Sequence, residues 1–211
     1  GGRLFRVRPR LIVGADGRNS TVRRWMKSKL KRDPQHHWLG GALFSGFHLP
    51  EGATHGANFK GGRTFVFPQG DGVARAYLVA SDEIVQEIKG PERGKRFEQW
   101  CAGALPEGAF EHSRAIGPIA IVPNNDVWSD SFARGRFVLI GDAAGANDPS
   151  LGQGLSLVFR DVRELRDLLL ELSVWTAAIA EFERRRRRYF EVLRAHALWT
   201  GVLTVETGVE A

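Results

Sequence analysis

The architecture of this chain is encoded most clearly in the segment Arg136-Phe-Val-Leu-Ile-Gly-Asp142-Ala-Ala-Gly-Ala-Asn-Asp-Pro149-Ser-Leu-Gly152-Gln-Gly154-Leu-Ser156. An apolar strand leads into Gly141-Asp142 and a loop of small residues, and two glycines then open a long amphipathic helix. A carboxylate at the carboxyl end of a strand can bind hydroxyl groups, and free N–H groups at a helix N-terminus can face anionic atoms. The segment therefore predicts a site for a phosphorylated, polyhydroxylated cofactor, although it lacks the Gly-x-Gly-x-x-Gly spacing of dinucleotide-binding turns.

A second segment of the same design lies near the start of the chain and reads Arg10-Leu-Ile-Val-Gly14-Ala-Asp16-Gly17-Arg-Asn-Ser20-Thr-Val-Arg23. An apolar strand again ends in glycines that flank an aspartate, and Ser20 is suited to cap the helix that follows. The aspartates of the two segments are about 125 residues apart. If both segments serve one cofactor, their strands must lie in one sheet.

Together the two segments resemble the Asp-Gly and Gly-Asp motifs of FAD-dependent aromatic hydroxylases, the single-component flavoprotein monooxygenases similar to para-hydroxybenzoate hydroxylase. The resemblance implies an α/β fold with an FAD-binding Rossmann-like domain, residues 1–35 and 124–211, and a mixed β-sheet substrate domain, residues 36–123. The N-terminal βαβ unit of that family is not found here. The chain is therefore expected to be an N-terminally truncated fragment that by itself binds FAD weakly or not at all and is inactive.

The same resemblance implies roles for the Gly-Asp segment. Asp142, after Gly141, would bind a hydroxyl of the ribityl chain, and the small Ala143 would let that chain lie against the backbone; the alternative is a loop or capping aspartate. Pro149 and the turn Gly152–Gly154, which also serves as a helix entry, would lie beside the isoalloxazine ring. The N–H groups of Leu155 and Ser156 would point at the flavin N1 and O2 atoms, where a helix N-terminus favours negative charge.

In the Asp-Gly segment, Gly14, Asp16 and Gly17 match the motif that supports FAD and is implicated in contacts with NADH or NADPH. Asp16 could touch the cofactor or only orient backbone groups. Arg23 matches the arginine that closes this motif, and an ordinary surface arginine is the alternative.

The resemblance implies an FAD-dependent monooxygenase that takes electrons from NADH or NADPH and hydroxylates an organic, aromatic small molecule through a flavin C4a-hydroperoxide. No catalytic histidine is assigned, because Gly145 occupies the position where the family often has one. The rivals are a flavin-dependent halogenase, a geranylgeranyl-reductase-like enzyme, and a basic binding module without redox activity. Flavin-dependent halogenases typically carry a Trp-x-Trp-x-Ile-Pro segment. A halogenase is disfavoured because no two tryptophans of this sequence form a Trp-x-Trp pair. His48, Tyr77 and Arg114 are candidates for a substrate pocket.

Composition adds few constraints. The 211 residues are 43% hydrophobic and 26% charged, which is ordinary for a globular protein. The single cysteine, Cys101, is expected to be partly buried on a helix. Because it has no second cysteine to pair with, it excludes an intrachain disulfide and predicts a cytoplasmic protein. No metal-binding pattern, signal peptide or membrane span is evident. The net charge of +6 reflects mainly Arg184–Arg188. These arginines lie within a helical pattern and sweep around more than one turn, so some of them must lie near the core face, with guanidinium groups that reach water or acidic partners. A solvated or domain-bridging helix is favoured over a nucleic-acid contact.

Periodicity and turn residues predict the remaining elements, and the turn signal Gly70-Asp71-Gly72 predicts a hairpin of the strands that flank it. The apolar residues of the helix that opens at Gly154 are expected to form its core face; they are Leu155, Val158, Val162, Leu165, Leu169 and Leu172. The predicted strands are Leu4–Val7, Leu11–Val13, Gly41–Leu49, Thr64–Phe67, Val73–Val79, Arg114–Val122 with a break at Gly117-Pro118, and Arg136–Ile140. The other predicted helices are Ser20–Leu30, Glu83–Ile88, Arg93–Ala104 and Val174–Leu198.

Overall fold

The computed structural model describes residues 3–4, 6–47, 49–50, 52–103 and 105–206. In chain order its elements are β1 (Ile12–Gly14), α1 (Thr21–Trp25), β2 (Leu30–Arg32), β3 (His37–Ser45), β4 (His55–Phe59), β5 (Gly62–Gly70), β6 (Val73–Ala80), α2 (Asp82–Ile88), α3 (Arg93–Ala102), β7 (Arg114–Ala115), β8 (Ala120–Asn124), β9 (Val127–Ser129), β10 (Ala133–Arg134), β11 (Phe137–Leu139), β12 (Gly145–Ala146), α4 (Gly154–Glu171) and α5 (Trp175–Glu206), with 3-10 turns at Gly141–Ala143 and Pro149–Leu151. The predicted α/β fold class is confirmed.

The chain forms two compact units. Unit 1 comprises Gly1–Asp33 and Asp126–Ala197, and unit 2 comprises Pro34–Asn125 and Leu198–Ala211. Helix α5 therefore begins in unit 1, and its last residues belong to unit 2.

The sheet of unit 1 joins the two sequence motifs. Strands β1 and β11 pair in parallel, with Gly14 opposite Leu139, and β10 extends the sheet on the far side of β11. Val138 and Leu139 are fully buried, as the continuous apolar run predicts. The prediction that the two motif strands share one sheet is confirmed.

Two predictions for the first 33 residues are wrong. Leu4 is 99% and Val7 76% exposed, and neither belongs to a strand, because no neighbouring strand among the described residues pairs with them. The helix predicted for Ser20–Leu30 ends at Trp25, and Leu30–Arg32 is strand β2, paired with β9. Lys27, with φ 54°, breaks the helical path, and tertiary pairing then overrides the helical pattern.

Unit 2 is built on a six-stranded sheet of order β4-β5-β6-β3-β7, with β8 also paired to β3. Its pairs are antiparallel throughout, whereas a mixed sheet was expected. The predicted hairpin between β5 and β6 turns at Asp71-Gly72, where both residues have positive φ, as a type I′ turn requires. Strand β4 was not predicted, since its sequence has no strong alternation.

Helices α2 and α3 cover one face of this sheet. The core between them contains Phe44, Val66, Leu78, Phe97 and Cys101, each at most 1% exposed. Burial raises the pKa of the Cys101 thiol to about 12, so this cysteine is a packing residue and more deeply buried than expected.

The core face of α4 differs from the predicted one. The residues buried in this helix are Leu157, Asp161, Leu165 and Leu168. Of the predicted face, Leu165 is buried and Leu169 and Leu172 pack against the core, whereas Leu155 and Val162 are exposed. The buried face contains the charged Asp161, and a search for apolar residues at helical spacing therefore selected a neighbouring face of the helix instead of the buried one. This displacement matters because Asp161 contacts the Gly-Asp segment.

Candidate functional site

The two motif loops of unit 1 leave the same edge of the sheet. The carbonyl of Gly14 accepts a hydrogen bond from the N–H of Ile140 at 3.0 Å, so β1 and β11 end side by side. A Cβ atom on Gly14 would lie 2.7 Å from Leu139 and 2.8 Å from Val22, which explains the need for glycine where the strand, the loop and α1 meet. The carboxyl ends of adjacent parallel strands are the usual place for a bound cofactor in α/β folds.

Arg23 ties the two motifs together. It is 7% exposed, and its Nη1 donates to the carbonyl of Ala143 at 2.8 Å while its Nη2 donates to the carbonyl of Arg18 at 2.5 Å. Burial is the main cause that lowers the pKa of this guanidinium, and the nearby Asp16 opposes it. The alternative of an ordinary surface arginine is therefore excluded.

Asp16 serves the start of α1. Its two carboxylate oxygens accept hydrogen bonds from the Ser20 hydroxyl at 2.5 Å and from the N–H groups of Thr21 at 2.6 Å and Val22 at 3.2 Å. Ser20 in turn caps the helix by accepting from the N–H of Arg23, as predicted. Desolvation raises the pKa of Asp16, but the hydrogen bonds from Ser20, Val22 and Thr21 outweigh it and the pKa is lowered. The carboxylate thus orients the loop that contains Gly17, whose φ is 76°.

The Gly-Asp segment forms a tight turn. Gly141 has φ 53°, and a Cβ atom there would lie 2.9 Å from the side chain of Val158 on α4. Ala143 and Ala144 are fully buried and pack with Leu157. Asp142, in contrast, is exposed, and no donor among the described residues binds its carboxylate. The turn therefore presents one free carboxylate at the edge where both motif loops emerge.

A buried charged network lies behind this turn. Asp161 accepts hydrogen bonds from the N–H of Gly141 at 2.7 Å, from Nε of Arg186 at 3.0 Å and from the hydroxyl of Tyr189 at 2.5 Å. Asp161 and Arg186 are both fully buried. Burial, and then the negative charge of Asp161, raise the pKa of Tyr189, which therefore acts as a neutral donor.

The N-terminus of α4 is open. Gln153 provides no side-chain cap, and among the described residues no acceptor binds the N–H groups of Gly154, Leu155 or Ser156, which are exposed. Gly152 has φ 65°, and a Cβ atom added to it or to Gly154 would meet nothing within 4 Å. Pro149 begins the preceding 3-10 turn and is also exposed. One turn further along, Leu157 and Val158 pack on the Gly-Asp turn, so both features belong to one surface.

Two buried carboxyl groups lie under the segment before Pro149. Asp126 accepts from the N–H of Asp148 at 2.7 Å and from Nδ2 of Asn147 at 3.3 Å, and Asp148 caps the 3-10 turn through the N–H of Ser150. Burial raises the pKa of Asp126 to about 6; the hydrogen bond from Asp148 lowers it, while the charges of Asp148 and Asp33 raise it further.

In unit 2, the sheet face opposite the helices carries aromatic rings. The centroids of Phe65 and Phe67 are 6.1 Å apart, and those of Phe67 and Tyr77 are 5.9 Å apart. The Tyr77 ring lies over Gly41, where a Cβ atom would be 3.2 Å away. Arg114 lies on β7 beside Ser45 and is exposed. The third substrate-pocket candidate, His48, lies outside the described residues.

The arginine run is not a uniformly solvated face. Arg186 is fully buried, while its neighbours make ion pairs with carboxylates, namely Arg184 with Glu181, Arg185 with Glu181 and Glu164, and Arg187 with Glu183. The expectation that some of these arginines lie near the core face and reach acidic partners is confirmed at Arg186, which bonds Asp161, although its guanidinium is buried and not solvated. No helix in the described part of the chain is long and apolar enough to cross a membrane.

Sequence reasoning missed Asp126, Asp161, Arg186 and Tyr189 as parts of this site. Arg186 left a signal, because it fills a gap in the apolar period Ile179, Phe182, Tyr189, Leu193. Asp161 left a similar one, at helical spacing from Leu157, Leu165 and Leu168. Asp126 left none.

Comparison with known proteins agrees with this geometry. The FAD binding domain family matches residues 1–187. The 2-heptyl-3-hydroxy-4(1H)-quinolone synthase of Pseudomonas aeruginosa is 29% identical over 207 residues, which cover 92% of this chain and 51% of the relative. The 3-hydroxy-4-methyl-anthranilyl-[aryl-carrier protein] 5-monooxygenase of Streptosporangium sibiricum is 28% identical over 90% of this chain and 52% of the relative. The chain thus spans about half the length of these curated relatives.

Solved structures share the fold. The crystal structure of PqsL from Pseudomonas aeruginosa, described as a probable FAD-dependent monooxygenase, superimposes with a TM-score of 0.76 at 21% identity, covering 93% of this chain and 57% of PqsL. The flavin-dependent brominase Bmp2 gives a TM-score of 0.76 at 14% identity, covering 97% of this chain and 54% of the brominase. At these identities the likeness concerns the fold alone.

Proposed function

The chain belongs to the FAD binding domain family, and on that premise we propose that it is part of an NADH- or NADPH-dependent monooxygenase that inserts one oxygen atom of O2 into an organic, aromatic substrate. The observation that carries the proposal is the free carboxylate of Asp142, held on a clamped turn beside the open N-terminus of α4. Both lie at the carboxyl edge of the sheet, where a cofactor is expected.

The donors and acceptors present fit a flavin. Asp142 offers two acceptor oxygens to the hydroxyl groups of a ribityl chain, and the small Ala143 and Ala144 keep the turn narrow. The N–H groups of Leu155 and Ser156 offer donors to anionic atoms of the ring, with the positive end of the α4 dipole behind them. Gly152 and Gly154 leave open space beside these groups.

The bound flavin would supply electron transfer from the nicotinamide cofactor to O2. The residues of this chain would bind the flavin, orient it and polarise it. In the Asp-Gly segment, Asp16 and Arg23 fix the loop with Gly14 and Gly17 against the Gly-Asp turn. We assign to this loop the support of FAD and a contact with NADH or NADPH.

An aromatic substrate is supported by two observations. Both relatives carry names of aromatic products or substrates, a quinolone and an anthranilyl group. In unit 2 the sheet face with Phe65, Phe67 and Tyr77 does not belong to the core under α2 and α3; Phe65 and Tyr77 are half-buried and Phe67 is exposed. Aromatic side chains stack edge to face with aromatic rings at centroid separations of about 4.5–7 Å. We therefore assign substrate contacts to this face.

Halogenation is the second candidate only as an outcome of the test, because the likeness to the brominase concerns the fold alone. A basic nucleic-acid module is not supported, because Glu164, Glu181, Glu183 and Asp161 neutralise much of the arginine run. The predicted cytoplasmic location stays a prediction.

The test uses the whole encoded protein, purified without added cofactor. A flavin absorption spectrum, substrate-stimulated oxidation of NADH or NADPH, and a product that gains one oxygen atom from isotopically labelled O2 are the expected results. A halogenated product formed only with added halide would favour the second candidate. A purified protein that neither contains nor takes up FAD would refute the proposal.

A further inference from the structure

The turn that presents Asp142 is held from its buried side by charged groups. Asp161, twenty residues further along the chain, accepts the N–H of Gly141 at 2.7 Å, and Nη2 of Arg186 approaches the carbonyl of the same residue at 3.4 Å. The peptide units on both sides of Gly141 are thus tied to one ion pair, directly before the residue whose carboxylate is free.

This ion pair is sealed from solvent. Asp161 and Arg186 are 0% exposed, and the guanidinium carbon of Arg186 lies 4.4 Å from the ring centroid of Phe132 and 4.9 Å from that of Phe190. Desolvating two charges is costly, and apolar residues of similar volume are often as stable or more stable at such positions. Stability alone therefore gives no reason for a buried ion pair between two helices.

The geometry gives a different reason. An ionised carboxylate forms shorter and stronger hydrogen bonds than a neutral acceptor, so Asp161 fixes the N–H of Gly141 more rigidly than a neutral group would. Tyr189 fixes Asp161 from the other side, by donating to its second oxygen. A binding group must be held within about 0.5 Å by packed, hydrogen-bonded neighbours to keep its productive position.

We propose that Asp161 and Arg186 are positioning residues for the cofactor: they lock the Gly141 peptide groups so that Asp142 points its carboxylate at the flavin. This inference rests on the proposed function, because it needs FAD at Asp142. The proposal gives Arg186 a role that the other four arginines of the run Arg184–Arg188 do not have, because those four do not contact the turn in the described structure.

The test compares two double variants of the whole encoded protein. Asp161→Leu/Arg186→Met and Asp161→Asn/Arg186→Met both remove the buried charges, but only the asparagine retains an oxygen that can accept the N–H of Gly141. The readouts are the FAD dissociation constant, the visible spectrum of the bound flavin, and the melting temperature of the apoprotein. Leu168→Ala, on the same buried face of α4, is the control for general destabilisation.

The asparagine variant is expected to bind FAD more weakly than the wild type, because its neutral oxygen forms a weaker hydrogen bond and Arg186 is absent. The leucine variant is expected to bind FAD on the order of 10-fold or more weakly than the asparagine variant, with an altered flavin spectrum. Leu168→Ala should lower the melting temperature without this loss of affinity. Equal dissociation constants for the two double variants, or an equal loss in Leu168→Ala, would overturn the proposal. A wild-type protein that binds no FAD would instead refute the proposed function.

If a double variant does not fold, Asp161→Glu decides. It retains the charge and the partner Arg186, but its longer side chain moves the carboxylate away from Gly141. Weaker FAD binding by a folded Asp161→Glu protein supports the proposal, and wild-type affinity overturns it.

Discussion

Nη1 of Arg23 donates a hydrogen bond to the carbonyl of Ala143 at 2.8 Å, across 120 residues of sequence. This contact joins the Asp-Gly loop to the Gly-Asp turn, beyond the backbone pairing of β1 with β11. The two motifs are therefore parts of one site, and a substitution in either loop is expected to alter the position of the other loop.

Arg23→Met is expected to weaken both stability and FAD binding. The buried carbonyl of Ala143 would lose its donor, and an unsatisfied buried polar group costs about 1–3 kcal/mol, whereas the carbonyl of the exposed Arg18 can bind water instead. Arg24→Met is the matched control, because Arg24 is exposed on the same helix and, among the described residues, its side chain hydrogen-bonds only Thr21. Urea unfolding and FAD titration of both variants make the comparison. If Arg23→Met and Arg24→Met have the same free energy of unfolding and the same FAD affinity, the contact of Arg23 with Ala143 contributes nothing to stability or binding.

Asp142→Ala is expected to reduce FAD affinity with little effect on folding, because its side chain is exposed and unbound in the described structure. Loss of a charge-assisted hydrogen bond of about 1.5–3 kcal/mol corresponds to roughly a 10- to 100-fold higher dissociation constant. Arg184→Ala, a change at the surface of α5, should leave the FAD dissociation constant unchanged. Equal FAD affinities for the wild type and Asp142→Ala would show that Asp142 is only a turn residue and does not bind the cofactor.

Gly141→Ala is expected to destabilise the protein more than Gly135→Ala. Both residues have positive φ, 53° and 60°, so both substitutions strain the backbone by about 1–2 kcal/mol. Only at Gly141 would the added Cβ atom collide, at 2.9 Å from Val158, which adds about 1–3 kcal/mol of overpacking. The measurement is the free energy of unfolding of each variant. The double variant Gly141→Ala/Val158→Ala should recover part of the loss, and no recovery would contradict the steric explanation.

Asp126→Asn is expected to change how stability depends on pH. The pKa of Asp126 is raised to about 6 in the folded protein, so the folded state holds this proton more tightly than the unfolded state. Its contribution to stability is therefore largest near pH 4 and declines by about 2–3 kcal/mol as the pH rises through about 6. The asparagine variant should gain stability over the wild type between about pH 5 and 7.

The control for this pH dependence is Asp130→Asn. The hydrogen bond from Ser28 lowers the pKa of Asp130, so this carboxylate stabilises the folded state at neutral pH and loses that effect in acid. The two difference profiles of unfolding free energy against pH should have opposite signs. A flat profile for Asp126→Asn would show that its carboxyl titrates normally.

Local sequence signals predicted the features that depend on neighbouring residues along the chain. The apolar run before Gly141, the cap at Ser20 and the turn at Asp71-Gly72 are all present. Each depends on short-range sterics and hydrogen bonding, which the order of residues specifies. The family match agrees with the resemblance carried by the two glycine–aspartate motifs.

Long-range pairing decided the features that the sequence misassigned. Leu30–Arg32 became a strand because β9 is available as a partner, and no sequence neighbour reveals that partner. The segment from Leu4 to Val7 has a strand composition, but a strand also needs a neighbour to bind its backbone groups.

By itself the sequence determined the two motif turns and the residues, Asp142 above all, that could face a cofactor. Only the tertiary structure showed that the charged Asp161 and Arg186 lie inside the protein, behind Gly141. Charge on a helix normally indicates a solvated face, and this rule fails when an opposite charge from another helix compensates it. The position of that partner, 25 residues away on α5, depends on how α4 and α5 pack, which local sequence does not specify.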